Sequence, residues 1–96
     1  MRTRISPGEI LREEFMRPLD LSGNALARAL NVPANRINDI VRGRREISAD
    51  TALRLGRYFG NRAQFWLDLQ SQHDIAVVEG ERGEEIARRV RPADAA

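Results

Sequence analysis

Residues 21–43, LSGNALARALNVPANRINDIVRG, leave the backbone few choices. Ser22 is a natural N-cap, and Leu26, Ala27 and Leu30 follow it at helical spacing on one face. Asn31 tolerates the left-handed conformation that ends a helix. Pro33 suits the first position of a second helix, where its missing N–H would be unbonded anyway. Ile37, Ile40 and Val41 give that helix an apolar stripe, and Gly43 supplies its stop. Ala27 is small enough for two backbones to approach closely where helices cross steeply. The spacing predicts two short helices joined by a tight turn.

The side chains left outside the second helix are short or polar: Ala34, Asn35, Arg36, Asn38 and Asp39. Asn can bond an adenine edge bidentately, and Arg can bond guanine O6 and N7. Arg42, Arg44 and Arg45 follow at once, where a helix leaving the major groove would meet phosphate. Taken alone, that arginine run would be a solvated loop. Coupled to the two-helix pattern, it makes residues 21–45 a candidate DNA-reading helix-turn-helix.

The remaining chain also reads as helices. Ser6, Pro7, Gly8 and Glu9 form a capping box with Pro at the first helical position. The helix they open carries Ile10, Leu11 and Phe15 inward and stops near Arg17, because Pro18 follows. Ser48 caps a fourth helix with Ala52, Leu55 and Phe59 on one face and Gly60 at its end. Asn61 caps a fifth, with Gln64 at the box position and Phe65, Trp66 and Leu69 as its apolar residues. The fold class expected is all-α: a five-helix domain over residues 1–73, with an extension over residues 74–96. In that extension residues 75–78 (IAVV) suit a helix extension, a strand or a docking segment. Residues 79–83 read as a break, residues 84–90 as one or two helical turns, and the last residues as disordered.

Ninety-six residues make one modest core, so further burial by dimerisation is expected. The net charge of +2 hides an asymmetry. Residues 1–62 carry twelve Arg against seven acids, a net of +5, and residues 63–96 carry four against seven, a net of −3. A basic body with an acidic end suits a protein with one face toward phosphate. With no cysteine there is no disulfide framework and no thiolate metal site, and neither metal nor cofactor is expected. No apolar run reaches membrane-spanning length, so a cytoplasmic protein is expected. His73 is the single histidine, and Glu13 and Glu14 are adjacent on a helix rather than facing, so an enzyme is not expected.

The stretch from SPGEIL through RGRREISADTALRLGRYFG to FWLDLQ resembles the HigA-type antitoxins of the Cro/repressor-like helix-turn-helix superfamily. The resemblance covers roughly residues 5–78, and FWLDLQ directly after the fourth helix narrows it to this group. It implies a homodimer that binds a palindromic operator in double-stranded DNA at its own promoter. It also implies neutralisation of a RelE-like toxin that cleaves messenger RNA. Carried over by position, Ala34, Asn35, Arg36, Asn38 and Asp39 read bases, and Ser22, Gly23, Asn24, Arg42, Arg44 and Arg45 contact phosphate. Many relatives place a bracing Gln where this chain has Gly23.

The assembly surfaces follow from apolar and charge patterns. Trp66, Leu67, Ile75, Val77 and Val78 are candidates for the dimer interface, since the fifth helix holds more apolar residues than one face can bury. A two-fold dimer would set its recognition helices about 34 Å apart, one turn of DNA. A basic ribonuclease calls for an acidic inhibitor surface. The first helix offers Glu9, Glu13 and Glu14, and residues 74–85 offer a second, less favoured one. The residues themselves do not separate an antitoxin from a stand-alone transcriptional repressor; a neighbouring reading frame for a small basic protein would.

Overall fold

Ser6 opens the first helix as a reciprocal cap. Its Oγ accepts from the Glu9 N–H at 3.2 Å, and Glu9 Oε1 accepts from the Ser6 N–H at 3.3 Å. The computed structural model describes residues 5–94. The first helix, α1, begins as an α-turn (Pro7–Ile10), widens into a π-helix (Leu11–Met16) and closes with a 3-10 turn (Arg17–Leu19). In the wide segment the Arg17 N–H reaches back to the Arg12 carbonyl. Pro18 sits inside the closing 3-10 turn rather than beyond the helix. Leu11 and Met16 are buried and Phe15 packs against the core, while Ile10, expected inward, is only half-buried.

Four further helices follow: α2 (Gly23–Leu30), α3 (Ala34–Val41), α4 (Ala49–Phe59) and α5 (Ala63–Arg89). Ser22 caps α2 by accepting from the Ala25 N–H at 3.0 Å, and Asn31 ends it at φ 61°. Ser48 caps α4 by accepting from the Thr51 N–H at 3.2 Å, and Gly60 ends it at φ 78°. Two starts fall one residue later than expected. Pro33 is the N-cap of α3, with ψ 146°, rather than its first residue. Arg62 is the N-cap of α5, because the Asn61 carboxamide is engaged elsewhere: its Oδ1 accepts from Trp66 Nε1 at 2.8 Å.

The core is one cluster, with Leu26, Ile37, Ile40, Leu55 and Trp66 at its centre. Phe15 of α1 lies 4.7 Å from the Trp66 ring and 5.1 Å from Phe59, centroid to centroid. These tilted aromatic pairs bind α1 to α4 and α5, each contributing roughly 0.5–1.5 kcal/mol beyond area burial. Trp66 is wholly buried within the single chain, so its assignment to a dimer interface is corrected: it has no surface left for a second copy.

The expected break over residues 79–83 is also corrected, since α5 runs unbroken for 27 residues. Gly80 and Gly83 each cost about 1 kcal/mol in a helix interior, but strong helix formers surround them. Glu85 bonds both Arg82 (3.5 Å) and Arg89 (3.3 Å), and Arg88 and Arg89 stand in the last turn, where the helix dipole favours cations. The helix crosses the expected boundary between residues 73 and 74, and residues 91–94 follow it without regular structure.

Candidate nucleic-acid interface

Three segments meet on one side of the helix pair: the start of α2, the start and outer face of α3, and the loop after it. Ala34 and Asn35 are exposed, and among the described residues the Asn35 amide has no protein partner. Arg42 and Arg44 are exposed, and neither forms an ion pair among the described residues. Gly43, at φ 78°, turns the chain between them. The far end of this basic loop is fixed: Ile47 is buried, and its N–H donates to Gln70 Oε1 at 2.9 Å. Gln70 Nε2 in turn donates to Asp74 Oδ1 at 2.9 Å, so α5 anchors the loop.

The remaining base-reading candidates are tied to neighbours. Asn38 Nδ2 donates to Asn24 Oδ1 at 3.1 Å, which joins α3 to the first turn of α2. A Cβ on Gly23 would collide with Asn38 Oδ1, so the glycine leaves the space that Asn38 fills. The brace between the two helices is therefore this asparagine pair rather than a side chain at position 23. Asp39 lies 3.7 Å from Arg45, a loose pair that partly offsets the loop's charge. Arg36 is the most constrained: its Nη1 donates to Asp50 Oδ1 at 2.9 Å.

Asp50 and Arg54 are the residues that sequence reading missed. Arg54 Nε donates to the same Asp50 Oδ1 at 2.7 Å, and its Nη1 donates to the Leu30 carbonyl at 2.8 Å. Arg54 thereby satisfies a carbonyl at the end of α2 and anchors Asp50 against Arg36. The Arg54 hydrogen bond holds the Asp50 carboxyl below the ordinary carboxylate range; burial opposes it, and the Arg54 charge with the Arg36 hydrogen bond and charge add to the lowering. The Asp50–Arg54 spacing was visible as a helical i,i+4 pair. Their partners on α2 and α3 were not, because those contacts span 24 and 14 residues.

The other nominated surfaces are differently placed. On α1, Glu9 is engaged in the cap, Glu13 pairs with Arg12 (3.0 Å) and Arg17 (3.2 Å), and Glu14 is exposed. On α5, Ile75 and Val78 are exposed, whereas Leu67 and Val77 are half-buried. Among the described residues no helix is long and apolar enough to cross a membrane.

Residues 11–66 match the model of a family described as helix-turn-helix. Virulence-associated protein I of Dichelobacter nodosus is 56% identical over 81% of this chain and 72% of its own length. Antitoxin HigA-1 of Vibrio cholerae is 33% identical over 95% of this chain and 85% of its own. Among solved structures, the Pseudomonas aeruginosa antitoxin HigA with the higBA promoter is 51% identical, covers 96% of this chain and 100% of its own, and superimposes with a TM-score of 0.91.

Proposed function

Because this chain belongs to the HigA-type antitoxins of the helix-turn-helix family, we propose that it is a homodimeric operator-binding repressor that also neutralises a toxin partner. One observation carries the DNA reading. The exposed start of α3 stands beside a loop whose Arg42 and Arg44 are spent on no carboxylate, in a chain 51% identical to a HigA solved with promoter DNA. Asn35 reads a base edge, Arg36 reads a second, and Ser22, Gly23 and Asn24 approach phosphate from α2. Arg42, Arg44 and Arg45 neutralise phosphate from the loop.

The homodimer uses the outward residues of α5, Ile75 and Val78, with Leu67 and Val77 at the margin of the same surface. With α5 assigned to the second copy, the acids of α1 (exposed Glu9 and Glu14, and half-buried Glu13) are the surface left for a basic ribonuclease. The tail is helical through Arg89, so α1 and the tail are both ordered surfaces and ordering entropy does not separate them. The preference for α1 rests on its acidic side chains standing on an element separate from the recognition helix α3 and from α5.

A binding series on a duplex from upstream of the chain's own reading frame tests the first half. Asn35→Ala should cost roughly 1–3 kcal/mol on that duplex and relax preference at one position. Arg44→Ala and Arg45→Ala should weaken specific and random duplexes alike and lower the salt slope by about one unit per lost contact. An unchanged slope would mean a merely solvated loop. Co-expression with the neighbouring toxin tests the second half. A chain truncated after Val78 should protect cells, and Glu13→Arg with Glu14→Arg should not. The reverse result moves the toxin site to α5, protection kept by both variants places it on neither surface, and a parent chain that fails to protect favours a repressor without a toxin.

A further inference from the structure

The groove between the start of α3 and the start of α4 is lined by Arg36, Arg45, Glu46, Ser48, Asp50 and Thr51. A carboxylate is an odd tenant beside a phosphate-facing loop, since alone it would repel DNA. Here Asp50 Oδ1 accepts from Arg36 at 2.9 Å and from Arg54 at 2.7 Å, so the triplet carries a net positive charge. Arg54 is itself fixed by the Leu30 carbonyl at 2.8 Å, the last residue of α2. The chain of contacts therefore runs from the end of α2, through Arg54 and Asp50 on α4, to the first turn of α3.

We propose that Asp50 is a positioning residue for base reading, holding the Arg36 guanidinium in one orientation at the start of the recognition helix. The inference rests on the reading of Arg36 as a base contact and deepens it. A guanidinium has five N–H donors in a planar fork. Asp50 engages Nη1, which leaves the Nε and Nη2 edge to meet O6 and N7 of a guanine in the bidentate geometry that distinguishes it. A long side chain held in advance loses less rotamer freedom on binding, and its fixed direction penalises a misplaced base. The substrate of this device is a G·C pair at one operator position, and Arg54 keeps Asp50 aimed toward Arg36 rather than toward phosphate.

The test uses the full chain and a random-sequence duplex library from which the parent protein selects its preferred site. Binding of the parent, Arg36→Ala, Asp50→Asn, Asp50→Glu and the Arg36→Ala/Asp50→Asn pair is then read at every position. Arg36→Ala should flatten a guanine preference at one position by about tenfold. Asp50→Asn should flatten the same position by a comparable factor, while random duplex binds as well or better because a negative charge is gone. Asp50→Glu should restore part of the preference, and the pair should lose no more than Arg36→Ala alone. A merely structural role for Asp50 would weaken all duplexes together and leave the preference pattern intact. If Arg36→Ala flattens one position and Asp50→Asn does not, the positioning role is overturned while the base contact stands. If Asp50→Asn sharpens specific binding, Asp50 restrains Arg36 rather than aims it, and the proposal is equally overturned. If Arg36→Ala changes no position, the base contact fails and takes the proposal with it.

Discussion

α3 has eight residues and sends Ile37 and Ile40 wholly into the core, whereas α5 has 27 residues and buries only Trp66 completely. The two helices are ordered by different physics. An isolated helix shorter than about 12–15 residues is marginal in water, so α3 persists because the rest of the domain packs against it. The outer part of α5 is propagated from the packed turns before it and carries local pairs, such as Glu85–Arg89 at 3.3 Å, so it forms with little tertiary contact of its own. A side chain on α3 is thus aimed by the whole core. A side chain beyond Val78 on α5 is aimed by its own helix alone, and exposed Ile75, Val78 and Ile86 offer apolar surface to another molecule.

Removing the shared support should break the contrast most sharply. Trp66→Ala should cost about 3–5 kcal/mol, from the lost burial and from the orphaned Asn61 partner. Urea unfolding should show the loss, and DNA binding should go with the fold, while a small effect would deny that α5 completes the core. Gly8→Ala comes next. A Cβ there would collide with the Ile40 carbonyl and crowd Val41 Cα, both backbone atoms of α3. The forced shift should cost about 1–3 kcal/mol. It should also weaken operator binding more than stability alone explains; unchanged affinity at unchanged stability would mean that α1 does not set the position of α3.

A milder change sharpens the other side. At Gly83 an added Cβ meets nothing closer than Glu79 Cβ at 3.9 Å. Gly83→Ala should therefore stabilise the outer helix by up to about 1 kcal/mol. Circular dichroism should show greater helix content on warming, with the core transition in place. A displaced core transition would show that the two regions are coupled after all. The smallest effect expected is at Asp50, whose carboxyl is held below its ordinary value of 3.8. A depressed carboxylate contributes stability above the unfolded value and loses it as pH falls through the folded one. Thermal midpoints of parent and Asp50→Asn should therefore differ at neutral pH and converge below pH 3.8. A gap that persists in acid would mean that charge plays no part in the Arg36–Asp50–Arg54 contact.

The features legible in sequence are those whose cause is local. Ser22, Asn31, Ser48 and Gly60 cap or end helices because a side-chain oxygen or a left-handed φ acts within three or four residues. Asn61 misled for the same reason: it has the right chemistry for a cap, but the Trp66 indole claims its oxygen. Gly80 and Gly83 misled in the opposite direction, since a glycine weakens a helix without stopping one that neighbours support.

The base-reading candidates were legible as a set, because helical periodicity separates the Ile37 and Ile40 stripe from everything outside it. Their individual standing was not. The sequence by itself determined five helices, the two-helix reading unit, and a basic body with an acidic end, because capping, periodicity and charge are properties of neighbouring residues. Only the tertiary structure decided that Asn38 leans on Asn24, that Arg36 rests on Asp50, and that Trp66 belongs to the core rather than to a second copy. Those outcomes depend on which surfaces meet when the helices pack, and a one-dimensional pattern does not carry that meeting.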